Sequence, residues 1–205
     1  MSVSDDKLMV LFLVDTSGSM YGQNIAAVNA AVAECVEVID KYGDKSKVTI
    51  GYASFDEEMS DVVFREGVET FSFAVIPNSD GFYKTTSFAS MYKGLYDYIQ
   101  HVQNPPRMIW ILITDGKSID EDECFAYIER IKSKEVFRKA VRYVGVVGSD
   151  PKGMKNEVLE IVDYKMNRVV RLDALSSVLS LNPFLSLNAD EAALDDKINA
   201  VFGKQ

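Results

Sequence analysis

The chain has 205 residues, 47% of them hydrophobic and 26% charged, a composition that suits one globular domain with a substantial core. Its formal net charge is −9. So acidic a surface repels phosphate backbones and anionic lipid, which excludes nucleic acid and membrane surfaces as general partners.

The first residues, MSVSDDK, are acidic, and the apolar run Leu8–Val14 ends in Asp15 rather than at a small-residue cleavage site. This run reads as a buried strand rather than a leader segment. From Asn24 to Asp40 the apolar residues Ile25, Val28, Val32, Val36 and Ile39 recur at helical spacing, and Lys41-Tyr42-Gly43-Asp44 stops the helix. Lys47–Phe55 reads as a second strand. Met59–Phe64, after the acidic turn Asp56-Glu57-Glu58, reads as its hairpin partner at the sheet edge. Val68–Ile76 fits either strand or packed loop, and Asn78-Ser79-Asp80-Gly81 is a turn cluster.

The next helix begins near Ser87, carries Phe88, Met91, Tyr92, Leu95, Ile99 and Val102 on one face, and ends at Asn104-Pro105-Pro106. His101, the sole histidine, lies off that face. The run MIWILI, Met108–Ile113, predicts another buried strand and meets Thr114-Asp115-Gly116. A helix is expected from Glu121 to Phe137, then a strand over Val141–Val147. A short helix, a small strand around Arg168–Leu172 and one or two terminal helices follow. Cys35 and Cys124, far apart and in no CxxC pattern, fall inside predicted helices as packed, reduced thiols. No stretch approaches the ~18 apolar residues of a membrane span, and a cytoplasmic location is expected.

Strand and helix alternate along most of the chain. The expected architecture is α/β: a three-layer, doubly wound, mostly parallel sheet with one antiparallel edge strand, formed as one domain over residues 1–205. Ligands of such sheets bind at the carboxyl ends of the strands, where Asp15 and Asp115 both stand.

Asp15, Ser17 and Ser19 occupy alternate positions in a tight loop, with Gly18 between the serines to ease the turn. Three oxygens from such a loop can converge, and a hard divalent cation is bound by oxygen. Thr86, opening the later helix, and Asp115 complete a candidate set of two carboxylates and three hydroxyls. If both acids balance the ion directly the site is neutral; if one binds through water, an open position would attract a carboxylate from outside. Tyr21, Tyr83, Lys84 and Lys117 flank these loops as candidate partner contacts. Read alone, Ser19 could instead cap the first helix, Asp115-Gly116 could be a turn, and Asp56-Glu57-Glu58 could be a solvated hairpin.

DTSGSM after an apolar strand, TTSFASMYKGL at a later helix start and ITDG at a strand end resemble the von Willebrand factor type A domain. Its metal-ion-dependent adhesion site uses the pattern D-x-S-x-S, T, D, which falls here on Asp15, Ser17, Ser19, Thr86 and Asp115. The resemblance implies a Mg2+-binding module (Mn2+ or Ca2+ being alternatives) that is not an enzyme and grips an acidic residue of another protein. The segments IAAVNAAVAECVEVI, KVTIGYASFDEEMSDVV and VVRLDAL are similar to bacterial tellurite-resistance TerY-type members, which implies a stress-response complex. One departure stands out: family members often carry two glycines before the threonine, where this chain has Lys84-Thr85. Lys84 would bring positive charge toward the ion, and Thr85 becomes a rival to Thr86.

Enzyme readings fare less well. A Mg2+-dependent phosphatase or phosphotransferase of the haloacid-dehalogenase type needs an acid two residues after its aspartate, where this chain has Ser17. There is no GxxxxGK[ST] loop, no GxGxxG after a strand and no G-x-S-x-G elbow. A purely structural module with a degenerate site would require a defect in the five positions, and they carry none.

Overall fold

The computed structural model describes residues 7–42, 47–66, 84–102, 107–117, 121–181 and 191–202. The ambiguous segment Val68–Ile76, the turn cluster at 78–81, Tyr83 and the Asn104-Pro105-Pro106 stop lie outside them.

Six strands form one sheet among the described residues: β1 (Leu8–Asp15), β2 (Val48–Phe55), β3 (Val63–Glu66), β4 (Arg107–Thr114), β5 (Val141–Val146) and β6 (Val169–Arg171). Their spatial order is β3-β2-β1-β4-β5-β6. All neighbours are parallel except β2 and β3, so β3 is the antiparallel edge. β1 lies between β2 and β4, and the winding reverses there. Asp15 ends β1 and Asp115 directly follows β4, so both acids flank this switch point, where open α/β sheets leave a crevice.

The continuous apolar runs are explained by the two layers of helices. In β1, Val10, Phe12 and Val14 face α1 (Gln23–Tyr42), α6 (Leu175–Ser180) and α7 (Glu191–Phe202) in one core. Leu11 and Leu13 alternate onto the opposite face. There they share a second core with α2 (Phe88–Gln100), α3 (Glu121–Lys132), α4 (Glu135–Lys139) and α5 (Asn156–Leu159). Phe12 and Trp110 are fully buried, one in each core. The cysteines are free and buried, Cys35 in the first core and Cys124 in the second, and His101 is exposed. Among the described residues no helix is long and apolar enough to cross a membrane.

Two expected elements shift. The hairpin partner of β2 lies at 63–66 rather than 59–64, with Met59 retaining only an isolated bridge to Phe55. The single helix expected from Glu121 to Phe137 is two, broken at Ser133-Lys134, where Lys134 takes an extended conformation. The break has a packing cause. One turn beyond buried Ile131 an unbroken helix would present Lys134 and Glu135 to the sheet. The interruption brings Val136 and Phe137 inward instead, and Phe137 meets the Trp110 ring edge-on at 5.5 Å.

Phe12 lies in the central strand with no exposed surface, so truncation leaves a cavity that neighbouring strands cannot close. Phe12→Ala is expected to cost about 3–5 kcal/mol of unfolding free energy. Urea titration followed by Trp110, the chain's sole tryptophan, measures it.

Candidate metal centre

The site is built around a buried acid. Asp15 has no exposed surface. Its Oδ1 accepts the Ser17 N–H at 2.9 Å and its Oδ2 accepts the Thr114 hydroxyl at 2.7 Å. Burial still dominates: it lifts the Asp15 pKa from the usual 3.8 to about 6, against the lowering by those hydrogen bonds, and the Asp115 charge adds a smaller push in the same direction. The two carboxylates therefore feel one another across the β1/β4 switch point.

Beyond Asp15 the chain makes one 3-10 turn, Gly18–Met20. Gly18 is not among the glycines with positive φ; those near the site are Gly22 (φ 73) and Gly116 (φ 77). The expected need for a turn glycine is thus met at the far ends of the two loops, while the Gly18 N–H binds the Lys84 carbonyl at 2.8 Å. Ser19 does not cap α1, because it stands four residues before the helix starts. Its hydroxyl lies 3.3 Å from that of Ser17, and the Asn24 side chain ties the Ser19 carbonyl to α1 at 2.9 Å.

Thr86, rather than Thr85, enters this cluster. It is 5% exposed, and its hydroxyl donates to Ser17 Oγ at 2.7 Å. Thr85 points away: its N–H and hydroxyl both donate to Glu57 Oε1 at 3.3 Å. Lys84 follows Thr85, not the site. Its ammonium pairs with Asp56 at 2.9 Å, which corrects the expectation that it brings charge toward the ion. The acidic turn is accordingly not a merely solvated hairpin. Asp56 and Glu57 hold residues 84–85, the Ser87 N–H binds the Asp56 carbonyl, and the Ser90 hydroxyl binds the Glu57 carbonyl. Ser87 then caps α2 by accepting from Ser90 N–H at 3.0 Å.

Asp115 closes the set from β4 and is 4% exposed. Its Oδ1 accepts the Lys117 N–H at 3.2 Å. Its buried Oδ2 makes no hydrogen bond; the Lys117 ammonium stands 2.9 Å away but out of hydrogen-bonding alignment. Gly116 turns the chain with positive φ, and a Cβ there would meet Met154 Sδ at 2.6 Å. The Ser149 hydroxyl donates to the Asp115 carbonyl at 3.4 Å.

The structure thus joins Ser17, Ser19 and Thr86 through their hydroxyls, with Asp15 bonded to the same loop and Asp115 on the adjacent strand end. Tyr21 is exposed, at 46%, on the rim beside Met20, and Lys117 is exposed at the Asp115 loop. Thr114, Asn24 and the Asp56–Glu57 clamp escaped the sequence reading. Only Thr114 left a trace there, as the hydroxyl residue of ITDG.

These residues suit a hard cation. The hydroxyl spacings of 2.7 and 3.3 Å bracket the roughly 2.9 Å edge of an octahedron with Mg2+–O bonds of about 2.0–2.1 Å. Hydroxyls bonded only to each other show similar spacings, so the discriminating feature is Asp115 Oδ2, a buried carboxylate oxygen that makes no hydrogen bond and is faced by the exposed Lys117 ammonium. Among the described residues no group of three or more His, Cys, Asp or Glu side chains could hold a metal. Any cation here depends on hydroxyls, which favours Mg2+ or Mn2+ over a soft metal.

The von Willebrand factor type A domain family matches residues 10–176. The chain belongs to that family. Solved structures agree on the fold. Proximal thread matrix protein 1 from the mussel byssus superposes with a TM-score of 0.60 at 18% identity, over 85% of this chain and 46% of that one. The pilus adhesin SpaC from Lactobacillus rhamnosus GG gives 0.61 at 14% identity, over 98% and 31%. The ArnB paralog VWA2 from Sulfolobus acidocaldarius gives 0.60 at 15%, over 86% and 45%. This type A chain therefore spans less than half the length of each of these three. No curated protein matches it in sequence.

The raised Asp15 pKa has a definite sign. The folded protein holds the proton more tightly than the unfolded chain, so this group's stabilising contribution is complete below about pH 3.8 and is lost as pH rises through about 6. Asp15→Asn keeps an acceptor for Ser17 N–H and places an amide against Thr114. In metal-free protein at pH 7 it is expected to raise stability, by at most about 3 kcal/mol, and to flatten the stability profile between pH 4 and 6. Thermal melts in EDTA across that range test both.

Proposed function

We propose that this type A domain is a divalent-cation-dependent protein-interaction module. Asp15, Ser17, Ser19, Thr86 and Asp115 would hold Mg2+ or Mn2+, and an acidic side chain of a partner would complete the site. The observation that carries this reading is the cluster of three hydroxyls at the Asp15 loop, at the strand ends shared with buried Asp115, whose Oδ2 meets the exposed Lys117 ammonium without a hydrogen bond.

The roles follow from the contacts. Ser17 N–H and Thr114 fix the Asp15 carboxylate in its ionised orientation. The Asp56–Glu57 clamp holds the segment that carries Thr86, and Asn24 holds the loop that carries Ser19. When bound, the cation would supply an electrophilic coordination position for a foreign carboxylate. Uncharged hydroxyls leave it less neutralised than an all-carboxylate shell would, which strengthens its attraction for an anion. Exposed Tyr21 would supply apolar contact at the rim. Tyr83 belongs to the same proposed rim.

A non-enzymatic role agrees with this arrangement. Ser17 stands where a haloacid-dehalogenase-type enzyme needs its second acid, and its hydroxyl lies between those of Thr86 and Ser19. The likeness of IAAVNAAVAECVEVI and VVRLDAL to tellurite-resistance TerY-type members supports a cytoplasmic bacterial stress complex as the setting.

Titration calorimetry with Mg2+ and Mn2+ tests the centre directly. The wild type is expected to bind one ion, and Thr86→Ala and Asp115→Ala to weaken it at least tenfold, about 1.4 kcal/mol. No measurable heat or thermal shift with either ion would refute the metal centre. For the partner, affinity capture from lysate in Mg2+ is expected to recover proteins that EDTA and Asp15→Ala both release. Identical recovery in all three conditions would refute the cation-bridged mechanism.

A further inference from the structure

We infer that Lys117 is an internal competitor for the metal centre: its ammonium occupies the Asp115 oxygen that the cation would take, and cation binding releases it. The inference rests on the metal-centre reading above and adds a device that regulates it.

Asp115 Oδ2 is buried and makes no hydrogen bond, yet the Lys117 Nζ stands 2.9 Å from it. The lysine side chain is 71% exposed, the carboxylate 3%. One partner is therefore fixed by the fold and the other tethered by a flexible stem. The backbone reinforces the asymmetry: Lys117 N–H binds Asp115 Oδ1 at 3.2 Å, so the loop stays wrapped around the carboxylate when the ammonium leaves. Gly116, in the left-handed region and packed against Met154, fixes the turn that brings residue 117 back over residue 115.

Charge explains the pairing. Asp15 and Asp115 repel each other across the switch point, and a cation near Asp115 relieves that repulsion. Lysine suits the task, because its ammonium is a compact point charge without the bidentate fork that would lock an arginine in place. A divalent ion coordinated by the whole oxygen set displaces a single exposed ammonium.

The structure also provides somewhere for the ammonium to go. A cleft of about 420 Å3 opens beside the pair, walled by Asp115, Gly116, Lys117, Ser149, Asp150 and Lys155 among others. On release, Lys117 faces this cleft next to the open coordination position, where an acidic side chain would approach. Metal binding would thus convert a self-neutralised pair into an open coordination position with a freed ammonium beside it, both of which a partner carboxylate can meet.

The competition should be visible in affinity. Lys117→Met keeps most of the stem and removes the charge; Lys152→Met removes a nearby exposed charge whose ammonium has no pairing with Asp115. A pair with one exposed partner contributes only modestly, so Mn2+ is expected to bind Lys117→Met roughly three- to fivefold tighter than wild type by calorimetry. Lys152→Met is expected to change it less than about twofold, in keeping with solvent screening of unpaired charges. In wild type, the Lys117 side-chain 15Nζ and 13Cε resonances are expected to shift on saturation with diamagnetic Mg2+, and to stay put in Thr86→Ala at the same concentration. If wild type binds Mn2+ but Lys117→Met binds it no more tightly than Lys152→Met, the competitor role is overturned while the metal centre stands. If neither wild type nor Lys117→Met binds the ion, both fall together.

Discussion

A carboxylate with no exposed surface at the end of the central strand is the constraint on which the site depends. Asp15 is charged with difficulty, since burial disfavours its ionised form more than two hydrogen bonds restore it. A fold optimised for stability alone would place an apolar residue there, as it does at every other position of β1 from Val10 to Val14. The elements around Asp15 serve to orient it: Ser17 N–H from its own loop, Thr114 from the neighbouring strand.

That constraint links the sheet to the site. β1 and β4 are adjacent, but 92 residues separate Asp15 from the start of β4 at Arg107. The switch in winding between them puts their carboxyl ends side by side, with α1 leaving one loop and α3 following the other. The third loop arrives differently. Thr86 is delivered by the segment before α2, which Asp56 and Glu57 hold from the end of β2. Three strand ends therefore cooperate, two by supplying acids and one by supplying the clamp. The clamp also shows how a departure from the usual family pattern is accommodated. Where relatives often have paired glycines, Lys84 and Thr85 turn outward and are engaged by the acidic turn, which leaves Thr86 free to face Ser17.

Charge at the site is concentrated at the ends of β1 and β4. The site pairs two carboxylates with neutral hydroxyls and an exposed lysine, and none of the five oxygen-bearing residues is set against a histidine. His101, the sole histidine, lies exposed at the far end of α2.

Most of the architecture was legible in the sequence, because apolar periodicity is a local property. The runs Leu8–Val14 and Met108–Ile113, of strand length and ending at polar loops, read as strands covered on both sides, and the spacing of Phe88, Met91, Tyr92, Leu95 and Ile99 reads as one face of a helix. The oxygen pattern that proposes the five candidate residues was legible too, since alternate oxygens after a buried strand carry their own signal. Other features depended on contacts between distant segments. The helix break at Ser133 follows from where Phe137 must sit against Trp110. What becomes of Thr85, the rival to Thr86, follows from Glu57, which accepts from its N–H and its hydroxyl. The pairing of Lys117 with Asp115 depends on a left-handed glycine backed by Met154, a residue 38 positions further on. Residue type and local spacing alone place the layers and the central strands, because both are local properties. Tertiary structure decided which side chains turn inward and which charges meet, because that depends on the positions of strands brought together only by the fold.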